Sequence, residues 1–272
     1  MLSRPKPRAL GALLAVLVAA ASPALAAPCG NTGAGFEAWK AAFGQEAARA
    51  GVGQRGLRAL AATRYAQSTI NADRNQKSFR LGLDEFMRVR GSATIVNQGR
   101  QRLARNARFY ASLERAYGVP AGVLIAIHGM ETGFGRFMGD SQVVSAIVTL
   151  AYDCRRSEFF KPHAIGALKL VDNGTITANT LGAKHGELGH TQFLPGNAYR
   201  YGVDANRDGR VDFYSEVDAL ASTANFLVQK GWQRGAGYQP GERNFRVIQE
   251  WNAASVYQQA IAIMAAQIDG GS

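Results

Sequence analysis

The segment after Pro120 constrains the fold most strongly, because it is apolar on every side. Positions 123–127 read Val-Leu-Ile-Ala-Ile, and no Asp, Glu, Lys or Arg occurs between Pro120 and Met130. A helix of this composition has no polar face, so it is expected at the centre of a core. Pro120 suits the first turn of such a helix, and Gly133 is expected to end it. The sequence therefore predicts a buried helix that other helices surround.

Helical periodicity continues through most of the remaining chain. Apolar residues recur at three- and four-residue spacing, and no sustained period-two pattern predicts a strand. One long helix is expected to run from about Ile95 to Tyr117. Further helices are expected at 141–152, 156–172, 192–201, 216–230 and 254–268. The sequence predicts an all-α protein of 272 residues, with a boundary near residue 117 between an N-terminal helical part and a central part.

The N-terminal residues have the pattern of a secretory signal peptide. Three basic residues precede the apolar run at 9–21, and small residues at 24–26 suit a cleavage site. That run is shorter than the roughly 20 residues that a membrane span needs. We therefore expect residues 1–26 to be removed and no stable membrane anchor to remain. Lipidation at Cys29 is the alternative, but Pro28 occupies the position where a small residue is required.

Charge and cysteine content fit an exported protein. The formal net charge is +11, from 31 basic and 20 acidic residues; without the three basic residues of 1–26 it is about +8. This excess favours acidic partners without choosing among nucleic acid, anionic lipid and anionic polymer. The chain has two cysteines, Cys29 and Cys154. An even number in an oxidising compartment predicts one disulfide, with two separate thiols as the alternative.

Glu131 is the candidate catalytic residue. It is the only ionisable carboxyl between Glu114 and Asp140, and it lies where the apolar helix should end. Apolar surroundings and the negative end of the helix dipole both disfavour its carboxylate form. Both effects raise the pKa, as a general acid at neutral pH requires. The alternative is a surface glutamate in the last turn of a helix, which would have no catalytic role.

A second motif surrounds Gln192. Gly189, Gln192 and Pro195 lie three residues apart, which predicts a tight turn that places Gln192 near the opening turn of the helix at 192–201. A glutamine amide both donates and accepts hydrogen bonds, as the recognition of a sugar requires. Three segments, 129–135 (GMETGFG), 150–156 (LAYDCRR) and the Gly189-x-x-Gln192-x-x-Pro195-x-x-Ala198 motif, together resemble lytic murein transglycosylases of the membrane-bound B type. The resemblance extends from about Cys29 to Ile268.

This resemblance implies a fold and an activity. It implies a lysozyme-like core at 118–232, preceded by an N-terminal helical domain at 27–117 and completed by C-terminal helices within 233–272. Such enzymes cleave the β-1,4 bond between N-acetylmuramic acid and N-acetylglucosamine without consuming water, and leave a 1,6-anhydro sugar. Glu131 matches their single acid/base, and Gln192 matches a glutamine that lines the sugar cleft. The segment 248–257, with Trp251 and Tyr257, resembles the part that returns to the cleft.

The chain also departs from that family. Phe226 and Trp251 stand where members often have tyrosine, and the short connection 233–244 replaces a small β domain. A retaining glycosidase usually needs a second carboxylate, for which Glu187 is the nearby candidate. A lysozyme-like muramidase on the same core and a noncatalytic peptidoglycan-binding module therefore remain alternatives. We expect a periplasmic monomer that binds peptidoglycan glycan strands, without nucleic acid and without a cofactor for catalysis.

Residues 204–218 resemble a calcium-binding loop. Oxygen ligands at positions 1, 3 and 5 and a glycine at position 6 match the start of an EF-hand loop, but position 12 is Ser215. In the transglycosylase family the last ligand lies 14 residues after the first, which is Asp218 here. The predicted ligands are Asp204, Asn206, Asp208, the Arg210 carbonyl and Asp218. An Asx-rich turn without metal is the alternative; a bound Ca²⁺ would have a structural role.

Overall fold

The computed structural model describes residues 28–75 and 81–270; the predicted signal peptide lies outside them. Within this part of the chain the regular structure is almost entirely helical, which confirms the all-α prediction. A short 3₁₀ turn at Gly33–Gly35 is followed by α1 (Phe36–Arg49), α2 (Gln54–Ala62), α3 (Gln67–Arg74), α4 (Leu83–Arg90), α5 (Ser92–Arg105) and α6 (Ala107–Tyr117). The later helices are α7 (Ala121–Thr132), α8 (Val143–Tyr152), α9 (Ser157–Asp172), α10 (Pro195–Tyr201), α11 (Glu216–Gln229), α12 (Phe245–Trp251) and α13 (Ser255–Ile268).

Strand structure in the described residues is confined to one small antiparallel pair. Strand β1 (Ser141–Gln142) pairs with β2 (Leu181–Gly182). The connection between α11 and α12 contains no strand, so the small β domain of larger relatives is absent there, as predicted. No described helix combines the length and apolar character of a membrane-spanning segment.

The apolar helix α7 is the centre of the core. Every residue from Ala121 to Met130 is buried, and α5, α6, α11 and α13 pack around it. Burying each branched side chain in this run contributes about 1.5–3 kcal/mol. At Gly122 a Cβ atom would lie 2.3 Å from the carbonyl oxygen of Ala265, so glycine allows α13 to cross closely. This packing holds the C-terminal end of α7 in a fixed place.

Three helix boundaries differ from the sequence prediction. The helix expected at 141–152 begins at Val143, because Ser141 and Gln142 form strand β1. The long helix expected from Ile95 to Tyr117 is two helices, because Asn106 leaves the helical region with φ −119° and ψ 33°. Asn106 ends α5 and begins α6, as expected for a residue whose side chain competes for backbone hydrogen bonds. The helix expected at 192–201 begins only at Pro195, so Gln192 lies in the preceding turn and not in the helix.

The predicted disulfide between Cys29 and Cys154 is present. Beside it, the Gly30 N–H donates to the Tyr152 carbonyl at 3.1 Å, and the Cys154 N–H donates to the Gly30 carbonyl at 3.2 Å. These contacts tie the N-terminal segment to the end of α8. In this form the Cys29 thiol is not available for lipidation, since its sulfur already forms the disulfide bond.

Candidate active site

Glu131 lies in the last turn of α7, which ends at Thr132 as predicted. Gly133 follows in the left-handed region with φ +55°, and its N–H donates to the Gly129 carbonyl at 3.0 Å. Two side chains from the C-terminal segment donate to the same Glu131 oxygen, Oε1. The Tyr257 hydroxyl lies at 2.5 Å and the Trp251 indole N–H at 3.2 Å. The end of the buried helix therefore presents a carboxyl group held in one orientation.

The surroundings of Glu131 favour its protonated form. Burial raises the pKa of the Glu131 carboxyl above its ordinary value, whereas the bonds from Tyr257 and Trp251 and the charge of Arg90 lower it. Burial prevails, so the pKa is raised overall. Tyr257 is itself only 2% exposed and its own pKa is raised well above the ordinary value by burial and by the Glu131 charge. Tyr257 thus remains a hydroxyl that donates to Glu131.

A cavity of about 250 Å³ opens beside Glu131. Gln192 and Trp251, both predicted to contact substrate, line it; Tyr257 is not among its lining residues and lies against Glu131. The rest of the lining comes from Ala183, His185, Glu187, Phe193, Leu194, Asn197, Phe226 and Asn252. The Trp251 ring packs edge-to-face on Phe193 and Phe226, with centroids 5.0 and 5.3 Å apart. Phe226 and Trp251 therefore form one aromatic wall together with Phe193.

A second cavity, of about 460 Å³, shares Glu131 and no other residue with the first. It is lined by residues of α4 and α5 and by the segment that follows α7. Phe137 lines it with 73% of its surface exposed, and Arg90 and Arg136 add positive charge. Glu131 therefore lines two neighbouring cavities.

The turn that contains Gln192 depends on backbone conformations with positive φ, which few residues adopt. Gly189 has φ +74°, and a Cβ atom there would lie 2.1 Å from the Phe213 carbonyl oxygen. Gln192 itself has φ +56°, and its side-chain amide donates to the Gly189 carbonyl at 2.8 Å. A positive φ costs free energy for any residue other than glycine, so the surrounding structure must hold the backbone of Gln192 in this conformation.

A pair of histidines that was not predicted from the sequence, buried His128 and partly buried His190, joins this turn to α7. The Nε2 atom of His128 lies 2.9 Å from Nδ1 of His190, and Nε2 of His190 lies 3.1 Å from the Tyr214 carbonyl. Because a carbonyl only accepts, the Nε2–H of His190 donates to the Tyr214 carbonyl. Burial lowers the pKa of His128 to about 3, so it stays neutral. The Thr132 hydroxyl adds a bond to the His190 carbonyl at 2.6 Å.

The five predicted calcium ligands line neither cavity. Their donor types suit a hard cation, but every side-chain oxygen among them accepts a hydrogen bond from within the loop segment. Asp218 is fully buried and accepts N–H groups of Ala205, Asn206 and Asp212. In the described part of the chain no group of three or more His, Cys, Asp or Glu side chains could hold a metal ion.

Comparison with known proteins gives a consistent relationship. Residues 35–240 match the sequence model of the family described as Transglycosylase SLT domain. The membrane-bound lytic murein transglycosylase B of Escherichia coli K12 is 34% identical over 123 residues, which is 44% of this chain and 34% of that protein. The match thus spans about a third of the length of that curated relative.

Solved structures extend the likeness to most of the chain. SltB3 from Pseudomonas aeruginosa, in complex with NAG-NAM-pentapeptide, is 29% identical with a TM-score of 0.78; the match covers 87% of this chain and 80% of SltB3. The Escherichia coli lytic transglycosylase Slt35, in complex with calcium, is 21% identical with a TM-score of 0.71, covering 84% of this chain and 92% of Slt35. At that identity the second likeness concerns the fold, which agrees with the lysozyme-like core expected from the sequence.

Proposed function

Because this chain belongs to the transglycosylase SLT domain family, we propose that it is a lytic transglycosylase that cleaves the glycan strands of peptidoglycan. The bond is the β-1,4 linkage from N-acetylmuramic acid to N-acetylglucosamine, and Glu131 is the acid and base. One observation carries the proposal. The Glu131 carboxyl lies at the end of a buried helix, has a raised pKa, accepts two hydrogen bonds on one oxygen, and lines two cavities.

The proposed reaction assigns different tasks to the two oxygens of Glu131. Oε1 accepts the bonds from Tyr257 and Trp251, so the proton is carried on Oε2. Glu131 gives this proton to the glycosidic oxygen as the bond from C1 to that oxygen breaks. The muramyl 6-hydroxyl then bonds to C1 and returns its proton to Glu131. The product is a 1,6-anhydro sugar, and no second carboxylate is needed because the nucleophile belongs to the substrate.

Side chains that line both cavities support a polymeric substrate. Gln192 and Trp251 would contact one side of the scissile bond, and Phe137 with its neighbouring arginines would contact the other. The relative SltB3 has been solved with NAG-NAM-pentapeptide, and an acidic polymer suits the basic chain. In this scheme residues 118–232 form the catalytic core after an N-terminal domain at 27–117. Residues 233–272 complete the cleft through Trp251, and Tyr257 of the same segment holds Glu131 in place.

The remaining proposals concern location and calcium. We propose that the mature protein acts in the periplasm, after removal of residues 1–26, as a monomer without nucleic acid or catalytic cofactor. We also propose that loop 204–218 binds Ca²⁺ as a structural ion. The donor types and the spacing between Asp204 and Asp218 support this second proposal, which is independent of the chemistry at Glu131.

The test of the proposed function compares three proteins on purified peptidoglycan. The wild type should release soluble muropeptides with 1,6-anhydro ends, identified by mass spectrometry as lighter by one water than hydrolysed ends. Glu131→Gln should release none while keeping its thermal unfolding. Glu250→Gln, at an exposed glutamate of α12, is the matched control and should behave as wild type. Undiminished release by Glu131→Gln would overturn the proposal, and it would also leave a noncatalytic role for Glu131.

A further inference from the structure

Glu187 places a second carboxyl group in the cavity that Glu131 lines. It belongs to the segment immediately before the Gly189 turn, and its side chain is 24% exposed. Its Oε2 atom is buried, and none of the described residues supplies it with a hydrogen-bond partner. A buried acceptor without a partner is costly, so native structures rarely keep one without a function or a bound donor.

The charged groups around Glu187 come from three parts of the fold. Glu131 at the end of α7 is a like charge, and Arg156, just before α9, opposes it. On its own segment, His185 Nδ1 lies 3.8 Å from Glu187 Oε1, and the other ring nitrogen lies 4.0 Å from Asp73 of α3. Burial, together with the Glu131 charge, raises the pKa of Glu187 to about 7. Near neutral pH the carboxyl therefore exists in both protonation states.

Two kinds of molecule that enter this cavity can donate a hydrogen bond to such an oxygen: a sugar of the substrate, through a hydroxyl, and water. A carboxylate that titrates near the working pH is well suited to take a proton from water, because general-base efficiency is greatest there. Glu131 supplies the acid that the same reaction needs. Ordinary glycosidases hydrolyse their substrates with two carboxyl groups, and two carboxyl groups line this cavity.

We propose that Glu187 activates water in this cavity, so that the protein also hydrolyses the bond that it cleaves by transglycosylation. This rests on the proposed function of Glu131. Glu187 takes a proton from water, the water oxygen bonds to C1, and the bond from C1 to the glycosidic oxygen breaks. That oxygen receives the proton of Glu131. One water is consumed, the product has a reducing muramyl end, and exchange with solvent returns a proton from Glu187 to Glu131.

The experiment measures the ratio of reducing to anhydro ends released from purified peptidoglycan. The ends found after incubation without enzyme are subtracted. Wild type should give both kinds of end. Glu187→Gln should lower the ratio of reducing to anhydro ends by about 100-fold, which is the lower range of general-base contributions. Circular dichroism and thermal unfolding check that the variant is folded. Glu131→Gln should lose both kinds of end. An unchanged ratio in Glu187→Gln, or a wild type that produces no reducing ends, overturns the inference and leaves the proposed function standing.

A pH series provides an independent readout. Both routes need the proton of Glu131, so the ratio of products reports enzyme in which Glu131 is neutral. Burial is the largest cause of the raised pKa of Glu187 and also acts in that form, so the ratio in the wild type should rise as the pH passes through the pKa of Glu187. The Glu187→Gln variant should show no such rise. A flat ratio in the wild type would contradict the assignment, whereas anhydro ends from Glu131→Gln would instead contradict the proposed function.

Discussion

The hydroxyl of Tyr257 offers a direct test of how Glu131 is controlled. It donates to Glu131 Oε1 at 2.5 Å, from a ring that is 2% exposed. Tyr257→Phe removes this donor and keeps the ring that packs in the core. Because the bond favours the carboxylate, its loss raises the pKa of Glu131 further. The protonated, active form should then persist to higher pH.

The magnitude follows from the strength of hydrogen bonds to charged groups. Such a bond contributes about 1.5–3 kcal/mol, and one pH unit corresponds to about 1.4 kcal/mol. The basic limb of activity should move upward by about one pH unit, since part of the bond is kept when Glu131 is protonated. The carboxylate formed after proton donation also loses a donor, so the maximal rate should fall by about tenfold.

The assay is kcat/KM against pH with soluble glycan fragments, because this parameter reports the ionisations of the free enzyme. Tyr199→Phe, at a half-exposed tyrosine of α10, is the matched control and should leave the profile unchanged. A basic limb that stays in place or moves to lower pH in Tyr257→Phe would refute the reasoning that this hydroxyl stabilises the Glu131 carboxylate.

Three further predictions concern the cleft, the loop and the disulfide. Phe137→Ala should weaken binding of glycan fragments by about fivefold or more, since aromatic truncation at a binding surface costs about 1 kcal/mol or more, and thermal unfolding should be unchanged. Phe159→Ala, at an exposed aromatic residue outside both cavities, is the control. Equal affinities of the two variants would contradict the assignment. Chelation should lower the melting temperature, and Ca²⁺ should restore it, if loop 204–218 binds calcium; identical melting curves would reject that site. Reduction of the Cys29–Cys154 bond, which closes a separation of 125 residues, should cost about 5 kcal/mol and lower the melting temperature by roughly 10–20 °C; two free thiols in the untreated protein would contradict this.

Local chemistry made the central helix predictable. The run before Met130 has no polar face, so burial was the only favourable outcome, and Gly133 ended the helix because it adopts the left-handed conformation at no steric cost. The same reasoning placed Glu131 at the end of a buried helix. The turn at Gly189 was also predictable, although Gln192 proved to lie before the helix, with its own left-handed backbone.

Contacts between distant segments were beyond local reasoning. The apolar period runs on across Asn106, so the sequence pattern did not distinguish two helices from one. The bond between His128 and His190 joins residues 62 positions apart, and neither histidine belongs to a known spacing motif. Trp251 was expected as a sugar contact, but its indole N–H also reaches Glu131, which only the packing of α12 reveals.

Titration of the Glu131 carboxyl by NMR, on protein with isotope-labelled glutamate and with Glu131→Gln to assign the signal, tests the account most directly. We predict a midpoint clearly above the ordinary 4.5, because burial outweighs the donors on Oε1. A midpoint at or below 4.5 would mean that the group is ionised at neutral pH and has no proton to give to the sugar bridge.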